Sequence, residues 1–239
     1  MTKAPPLSLS AWLRYDALLR LIPPKTTRVL EIGAGLGSFG ALLAARFDYV
    51  GLEPDRESYA VALERVGDEG LVLNKSEEQF ESPERFDLVC AFEVLEHMED
   101  DRAVLDGWLR HLRPGGSVLV SVPFARARFG PWDRRAGHYR RYDESDIVET
   151  LRSAGLGSIE TIVYGFPLGR LMEIGRNAFA RLDGDDTGMS ERTARSGRQL
   201  QPPIWAATCT RLVSAPFRLA QRPFSGSRHG TGIVALGRL

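Results

Sequence analysis

The sequence predicts an α/β fold in which a mostly parallel β-sheet is covered by helices on both faces. Two observations support this prediction. Short apolar runs alternate with segments of helical periodicity between residues 28 and 122. The first apolar run also ends in glycines that open a helix, within RVLEIGAGLGSFGALLAAR (28–46). A chain of 239 residues with 43% hydrophobic residues is long enough to bury such a core in one domain.

The predicted elements follow one another regularly up to residue 122. Ser8 or Ser10 can cap a first helix, which ends at Pro23 and Pro24. Short apolar runs predict strands at 28–33, 49–53, 71–74, 86–92 and 117–122. Helical periodicity predicts connecting helices from 38 onward, at 55–66 and at 100–112, the last ended by RPGG (113–116).

The pattern changes after residue 122. An arginine-rich and aromatic loop (123–142) precedes a helix (143–155) and a sixth strand (158–165). We divide the single predicted domain into an N-terminal helical segment (1–27), a core (28–166), a helical insertion (167–230) and a final strand (231–239). Within the insertion, the polar stretch 183–199 is expected to be mobile.

Charge and cysteine content exclude several classes of protein. The formal net charge is zero, so overall charge gives no attraction to nucleic acid. The last fifty residues are nevertheless basic, with eight arginines against the single acid Glu191, which suits a solvated surface, an acid-facing lid or contact with phosphates and anionic lipid.

Two cysteines predict neither a disulfide framework nor a zinc site. Arg14 and Asp16 interrupt the first apolar stretch, which therefore fits neither a secretion signal nor a spanning helix, and we expect a cytoplasmic protein.

Three glycines and two acids predict a nucleoside-bearing cofactor. Gly33, Gly35 and Gly37 permit a tight turn in which the backbone comes near a ligand. Glu53, at the end of the next strand, can accept both hydroxyls of a ribose. NAD and S-adenosylmethionine (SAM) both fit this geometry. Glu31 favours SAM, because a carboxylate there can help hold the positively charged methionine end and would repel a pyrophosphate.

The motifs VLEIGAGLGSFGALLA, GLEPDRESYAVA, FDLVCAFEVLEHMEDDRAVLDGWLRHLRPGGSVLVSVP and GHYRRYDESDIVETLRSAGL resemble successive motifs of class I SAM-dependent methyltransferases. The resemblance implies a Rossmann-like, seven-stranded sheet whose last strand runs antiparallel. It also implies roles in cofactor binding for Glu31, Gly33, Ala34, Gly35, Gly37, Glu53, Ser76, Phe92 and Glu93. Of these, Glu53 would bind the ribose and Ser76 would lie near the adenine. One position departs from the family, because Lys75 stands where an acid often binds the adenine amino group; Glu77, Glu78 or the backbone would have to serve instead.

The stretch FEVLEHM (92–98) concentrates acids at the carboxyl end of the fourth predicted strand. Glu93, Glu96 and His97 share one face if the chain coils there. The stretch resembles the E-x-x-E-H segment of ubiquinone-biosynthesis O-methyltransferases and of small-RNA 3′-end 2′-O-methyltransferases. That resemblance implies Mg²⁺ or another divalent cation held by Glu93, Glu96, His97 and His138, with His97 and His138 catalytic. A divalent cation would lower the pKa of an acceptor hydroxyl and fix its oxygen.

Other interpretations of this stretch remain open. Metal-free relatives also contain EVLEH, where the histidine is a general base or a structural group. The leading functional prediction is O-methylation of a vicinal diol on a small molecule, sugar or glycan. The alternatives are an RNA-end 2′-O-methyltransferase, a metal-free N- or C-methyltransferase with His97 as base, and a noncatalytic SAM-binding protein. Nucleic acid is disfavoured as a partner because no RNA-binding module is recognisable.

Two basic regions suggest contacts with partners. Arg134, Arg135, Arg140 and Arg141 flank His138 and could bind a phosphate, a carboxylate or a sugar, or remain solvated. The segment PPIWAATCTRLVSAPFRLAQRPF (202–224) mixes apolar residues with arginine, a composition suited to a substrate lid, a homodimer contact or peripheral contact with a membrane surface.

Overall fold

A seven-stranded sheet forms the centre of the protein in the computed structural model, which describes residues 6–182, 202 and 204–239. The strands are β1 (Arg28–Ile32), β2 (Asp48–Leu52), β3 (Leu71–Leu73), β4 (Phe86–Phe92), β5 (Leu112–Pro123), β6 (Gly157–Tyr164) and β7 (Gly232–Arg238). Their order across the sheet is β3-β2-β1-β4-β5-β7-β6. Strand β7 runs antiparallel to both β5 and β6, whereas the pairs from β3 to β5 are parallel. This arrangement confirms the predicted fold class.

Eight α-helices in the described part of the chain accompany the sheet. They are α1 (Leu9–Leu21), α2 (Ser38–Ala44), α3 (Arg56–Val66), α4 (Asp101–Leu109), α5 (Pro131–Ala136), α6 (Glu144–Ser153), α7 (Leu168–Leu182) and α8 (Ala207–Ala220). Side-chain caps explain where several begin, because Ser8, Asp55 and Asp100 each accept a backbone N–H three residues later. No helix among residues 6–182 and 204–239 has the length and apolarity needed to cross a membrane.

The alternation of side chains along β4 divides the core into two layers. Leu88, Cys90 and Phe92 point to the layer that contains α1, α2 and α3, whereas Val89 and Ala91 point to the layer that contains α4 and α6. Both faces are therefore covered, as the near-continuous apolar sequence of β4 predicts. The carboxyl ends of β1, β2 and β4 meet at one edge of this sheet, where the loops are free to build a site.

Two elements differ from the predictions. The RPGG segment (113–116) was predicted to end a helix, but it lies within β5, which begins at Leu112. The pairing of β5 with β4 shifts register between Phe86 and Leu88, and Gly115 has φ +74°. The predicted loop 123–142 contains the short helix α5. Pro131 lies at its first turn and the Asp133 carboxylate accepts the Gly130 N–H at 2.8 Å, so local bonds support a helix too short to show periodicity.

The helical insertion has α7 and α8 within its described residues, and the stretch predicted to be mobile (183–199) lies outside them. Several apolar side chains of the segment 202–224 are exposed, among them Trp205, Leu212 and Leu219. Phe217 instead packs against the layer that contains α1. The helix α8 is therefore held to α1 by part of its apolar surface and leaves the rest open.

Candidate active site

The glycine turn after β1 is shaped by left-handed backbone and close packing. Gly37 has φ +72°, and a Cβ there would lie 2.7 Å from Cα of Ala62, so only glycine fits. Gly35 has φ +55°, but a Cβ there would meet nothing within 4 Å. The N–H groups of Gly33 and Ala34 both donate to the Leu52 carbonyl at 2.9 Å, which fixes the turn against the end of β2. Open space therefore lies beside Gly35, in the part of the turn predicted to face a cofactor.

Glu53 lies next to this open space. Its Oε2 accepts the Gly35 N–H at 2.7 Å and its Oε1 accepts the Asp55 N–H at 2.8 Å. Burial raises the pKa of Glu53, and the two backbone hydrogen bonds oppose that shift. The structure thus brings the predicted ribose ligand and the predicted methionine turn into direct contact.

Glu31 is buried and has a partner within the protein. The residue is 2% exposed, and its carboxylate accepts the Tyr49 hydroxyl at 2.6 Å. Burial raises the pKa of Glu31 to about 8, although the hydrogen bond from Tyr49 acts in the opposite direction. In this structure the carboxylate of Glu31 is satisfied within the protein, and its predicted role toward the methionine end remains a prediction.

The residues predicted near the adenine follow β3. The Ser76 hydroxyl bonds Glu78 at 3.3 Å, and the Ser76 N–H donates to Gln79 at 3.1 Å. Glu77 was one of two acids predicted to bind the adenine amino group in place of a residue at position 75. Its Oε1 lies 2.9 Å from His111 Nε2 instead. The Glu77 carboxylate therefore already has a protein partner.

The residues at the end of β4 show an unusual backbone. Phe92 packs its ring 5.2 Å from the ring of Phe39 on α2. Glu93 has φ +57°, a left-handed conformation that costs energy for any residue with a Cβ and is often found at functional sites. Its N–H donates to the Ser121 carbonyl at 2.9 Å, which holds this conformation against β5.

Three side chains that the sequence did not indicate as site residues surround the Glu93 carboxylate. Ser121 donates to Oε1 at 3.2 Å, the Tyr164 hydroxyl lies 3.5 Å from the same oxygen, and Arg14 lies 3.6 Å from Oε2. Arg14 also donates to the Tyr164 hydroxyl at 3.1 Å. The only sequence signal for this contact was a charge within the apolar face of α1. Arg14 and Tyr164 lie far apart in the chain, so their meeting could not be read from local pattern.

Glu96, His97 and His138 converge beside this position. One candidate ligand atom from each residue lies within 4.8 Å of the others. Among the residues that the structure describes, these three side chains therefore form a group that could hold a metal ion. Glu96 is 0% exposed, and neither of its carboxylate oxygens has a hydrogen-bond partner. Burial, with the nearby charge of Glu93, raises the pKa of Glu96 well above its usual value. Glu93, the fourth predicted ligand, faces Arg14 and is not part of this group.

Hydrogen bonds orient both imidazoles. His97 Nδ1 lies 3.1 Å from the Gly137 carbonyl, and His138 Nδ1 lies 3.0 Å from Asp133 Oδ1. Each acceptor requires an N–H on Nδ1, which assigns the lone pair to Nε2. Nε2 of His138 points to Glu96 Oε1 at 3.9 Å. Burial and the neighbouring His138 together lower the pKa of His97 to about 4, against the opposing effects of the Gly137 carbonyl and Glu93, so His97 is neutral near pH 7.

The arginines around His138 divide into two groups. Arg141 donates to Asp133 at 2.8 Å and also binds Glu173 of α7, and Arg140 donates to Asp101 at 3.3 Å. Burial alone would raise the pKa of Asp133, but hydrogen bonds from His138 and Arg141 lower it to about 2. These two arginines therefore support the site from within. Arg134 instead is exposed, with its guanidinium 5.9 Å from the centre of the Phe129 ring.

Comparisons with known proteins identify relatives of this chain. A family model described as a methyltransferase domain matches residues 10–161. The ubiquinone biosynthesis O-methyltransferase of Aeromonas salmonicida is 32% identical over 101 residues, which is 40% of this chain and 42% of that protein. The enzyme of the same name from Azorhizobium caulinodans is 34% identical over 107 residues, 43% of this chain and 42% of that protein. The matches therefore span less than half the length of these curated relatives.

Solved structures share the fold at low sequence identity. The N-methyltransferase NodS from Bradyrhizobium japonicum, in complex with S-adenosyl-L-homocysteine, superposes with a TM-score of 0.53 at 17% identity, covering 89% of this chain and 78% of that one. The Haemonchus contortus phosphoethanolamine N-methyltransferase 2 gives a TM-score of 0.59 at 20% identity, covering 94% and 51%. Since the family match covers most of the chain and the sheet has seven strands with the last one antiparallel, this protein belongs to the methyltransferase domain family and has the class I fold.

Proposed function

We propose that this enzyme transfers the methyl group of SAM to a hydroxyl oxygen of a small molecule, sugar or glycan, with the help of a divalent metal ion held by Glu96, His97 and His138. The observation that carries the proposal is the fully buried Glu96 carboxylate, whose two oxygens lack partners while two imidazoles converge on it. An unpaired buried carboxylate is costly unless it takes up a proton or a cation.

The surroundings of the three side chains fit a metal centre. Histidines that bind metals usually donate their other N–H to a carboxylate or a backbone carbonyl, which fixes the ring and its tautomer. His138 has such a bond to Asp133 and His97 has one to the Gly137 carbonyl. Asp133 is in turn fixed by Arg141. The chain therefore supplies both the ligands and the groups that would orient them.

The donor set also limits which ion is suitable. Mg²⁺ prefers oxygen ligands, whereas imidazole favours first-row transition metals. With two imidazoles and one carboxylate, the centre suits a transition metal better than the Mg²⁺ expected from the sequence resemblance. When bound, the ion would lower the pKa of an acceptor hydroxyl and hold its oxygen in place.

The protein's own residues would supply the rest of the chemistry. The glycine turn and Glu53 would position the cofactor along the edge formed by β1 and β2. Glu93, held at an unusual φ by Ser121, would separate the cofactor from the metal centre. Neutral His97 would offer its Nε2 lone pair to the ion, because its lowered pKa leaves it unprotonated near pH 7. The proton of the acceptor hydroxyl, whose pKa the ion would lower, would leave to water. Methyl transfer then requires only that the acceptor oxygen is aligned behind the methyl group.

The curated relatives support oxygen as the methyl acceptor. The relatives from Aeromonas salmonicida and Azorhizobium caulinodans are named O-methyltransferases, and their similarity covers 40% and 43% of this chain. Three protein ligands would leave coordination positions for two adjacent oxygens, so we propose an acceptor with a vicinal diol, such as a catechol or a sugar.

A metal-free reaction is a second candidate, favoured by the neutral state of His97. In that reaction His97 would act as general base toward a nitrogen or carbon nucleophile, and Glu96 would stay protonated. Its weak point is basicity, because a pKa of about 4 gives His97 little driving force to remove a proton.

One assay separates the two candidates. Methylation of catechols, sugars and short RNAs is measured with added transition metal and with excess chelator, while calorimetry follows SAM binding under both conditions. Metal-assisted O-methylation predicts that chelator abolishes turnover of a diol and leaves SAM binding unchanged. Undiminished turnover in chelator would support the metal-free reaction.

A further inference from the structure

A cavity of about 550 Å³ lies outside the Glu96–His97–His138 centre. It is formed between the segment 127–134 and α7, and three arginines line it: Arg128, Arg134 and Arg170. Glu173 is the one acid among the described lining residues, and Phe129 and Ile174 supply apolar surface. None of the three proposed metal ligands lines this cavity.

The charges around the cavity do not balance. Glu173 is shared, because its Oε2 lies 3.0 Å from Arg128 and also binds Arg170, while its Oε1 binds Arg141 behind the cavity wall. Arg141 has a second carboxylate partner in Asp133 at 2.8 Å. Among the lining residues that the structure describes, three arginines against one glutamate leave an excess of two positive charges.

The individual arginines show the effect of this excess. Burial lowers the pKa of Arg128, and the charges of Arg170 and Arg141 lower it further, although Glu173 opposes them. Within the described part of the chain Arg134 has no carboxylate partner and rests against the Phe129 ring. Like charges gathered in a partly enclosed space favour the binding of an anion.

We propose that this cavity binds a phosphate group through Arg134 and Arg170, while Arg128, whose guanidinium already donates to Glu173 and to the Gly230 carbonyl, adds its positive charge. A phosphate monoester carries close to two negative charges near pH 7, which matches the excess. A guanidinium group can donate two parallel hydrogen bonds to two oxygens of one phosphate. The Phe129 and Ile174 side chains offer an apolar wall for the rest of an organic molecule. The phosphate could belong to a soluble metabolite or to a lipid headgroup. The proposal depends neither on the metal centre nor on the identity of the methyl acceptor.

Calorimetry on the full-length protein tests this assignment with three probes: inorganic phosphate, glycerol 3-phosphate, and vesicles that contain phosphatidic acid. The test variant carries Arg134→Gln and Arg170→Gln together. The control is Arg152→Gln, on the exposed surface of α6, where Arg152 pairs only with Glu149 at 3.6 Å among the ion pairs described. Thermal unfolding and SAM binding, measured on each preparation, show that the variants are folded.

We expect saturable binding by the wild type, at least tenfold weaker binding by the double variant, and no change in the control. Binding of glycerol 3-phosphate would assign a soluble ligand, and binding of vesicles alone would assign a headgroup. The proposal is overturned if the folded wild type binds none of the three probes, or if the double variant binds as well as the wild type. Because SAM binding is recorded separately, failure here leaves the proposed methyl transfer untouched.

Discussion

Oδ1 of Asp133 lies 3.0 Å from Nδ1 of His138, beneath the proposed metal centre. The same oxygen accepts the Nε–H of Arg141 at 2.8 Å, and Asp133 is fully buried. Because Arg141 also binds Glu173, the position of His138 depends on contacts that reach from α5 to α7 in the insertion. His138 is therefore held by a buried carboxylate that has its own cationic support.

Replacing this carboxylate should weaken the centre without removing a ligand. For Asp133→Asn we expect the affinity for Co²⁺ to fall by about 10- to 100-fold, because the amide orients the imidazole less strongly. Visible absorption of bound Co²⁺ measures this affinity. Asp106→Asn, at an exposed position on α4, is the matched control. Wild-type affinity in Asp133→Asn would show that Asp133 does not position a metal ligand.

Replacing Glu96 should separate stability from function. Glu96→Gln keeps the size of the side chain but removes the carboxylate that is buried without partners. We expect the free energy of unfolding in chelator to rise by about 1 kcal/mol, since a neutral amide costs less to bury, while Co²⁺ binding is lost. Urea denaturation measures the first effect. A clear loss of stability in chelator would mean that Glu96 contributes to the fold rather than to a metal centre.

The open space beside Gly35 leads to a prediction about the cofactor. Gly35→Ala places a Cβ where nothing lies within 4 Å, so the cost to stability is the left-handed backbone alone, about 1–2 kcal/mol. SAM binding should fall much more, because the methyl group enters the proposed cofactor space. Gly115→Ala is the control, since Gly115 has φ +74° and an equally open Cβ position away from the site. Calorimetry showing equal SAM affinity in both variants would place the cofactor elsewhere.

Glu31 should make stability depend on pH. Its pKa is about 8 in the folded protein and about 4.3 in an unfolded chain. The folded state therefore binds more protons between these values, and its stability should fall as pH rises from about 4.3 to about 8, by on the order of 1 kcal/mol per pH unit. Glu31→Gln can still accept the Tyr49 hydroxyl and should flatten this dependence. Urea denaturation at pH values from about 5 to about 9 measures the free energy of unfolding of the wild type and of Glu31→Gln. Identical slopes would show that Glu31 is ionised throughout.

Local sequence patterns were sufficient for the sheet and for much of the site. The apolar run at Phe86–Phe92 predicted β4 with its observed bounds, and the glycines predicted the turn that faces Glu53. The family resemblance implied a group of Glu93, Glu96, His97 and His138, of which the last three come together and Glu93 faces Arg14 instead.

Other features depend on contacts between distant parts of the chain. Arg14 reaches Glu93 from α1, and Tyr164 reaches it from β6, so neither could be found by spacing. The different environments of the arginines likewise depend on α7. Its Glu173 binds Arg141, whereas Arg134 is exposed. Helical periodicity predicted that α7 exists but not which carboxylate it brings to the loop.

Anomalous diffraction from crystals grown with Co²⁺ and S-adenosylhomocysteine would locate the proposed metal ion and the cofactor together. We expect a single strong peak at the cobalt edge, within bonding distance of Glu96, His97 and His138, with the ligand along the turn at Gly35. The absence of a peak at that position, with Glu96 hydrogen-bonded to a histidine in its place, would contradict the proposed metal centre.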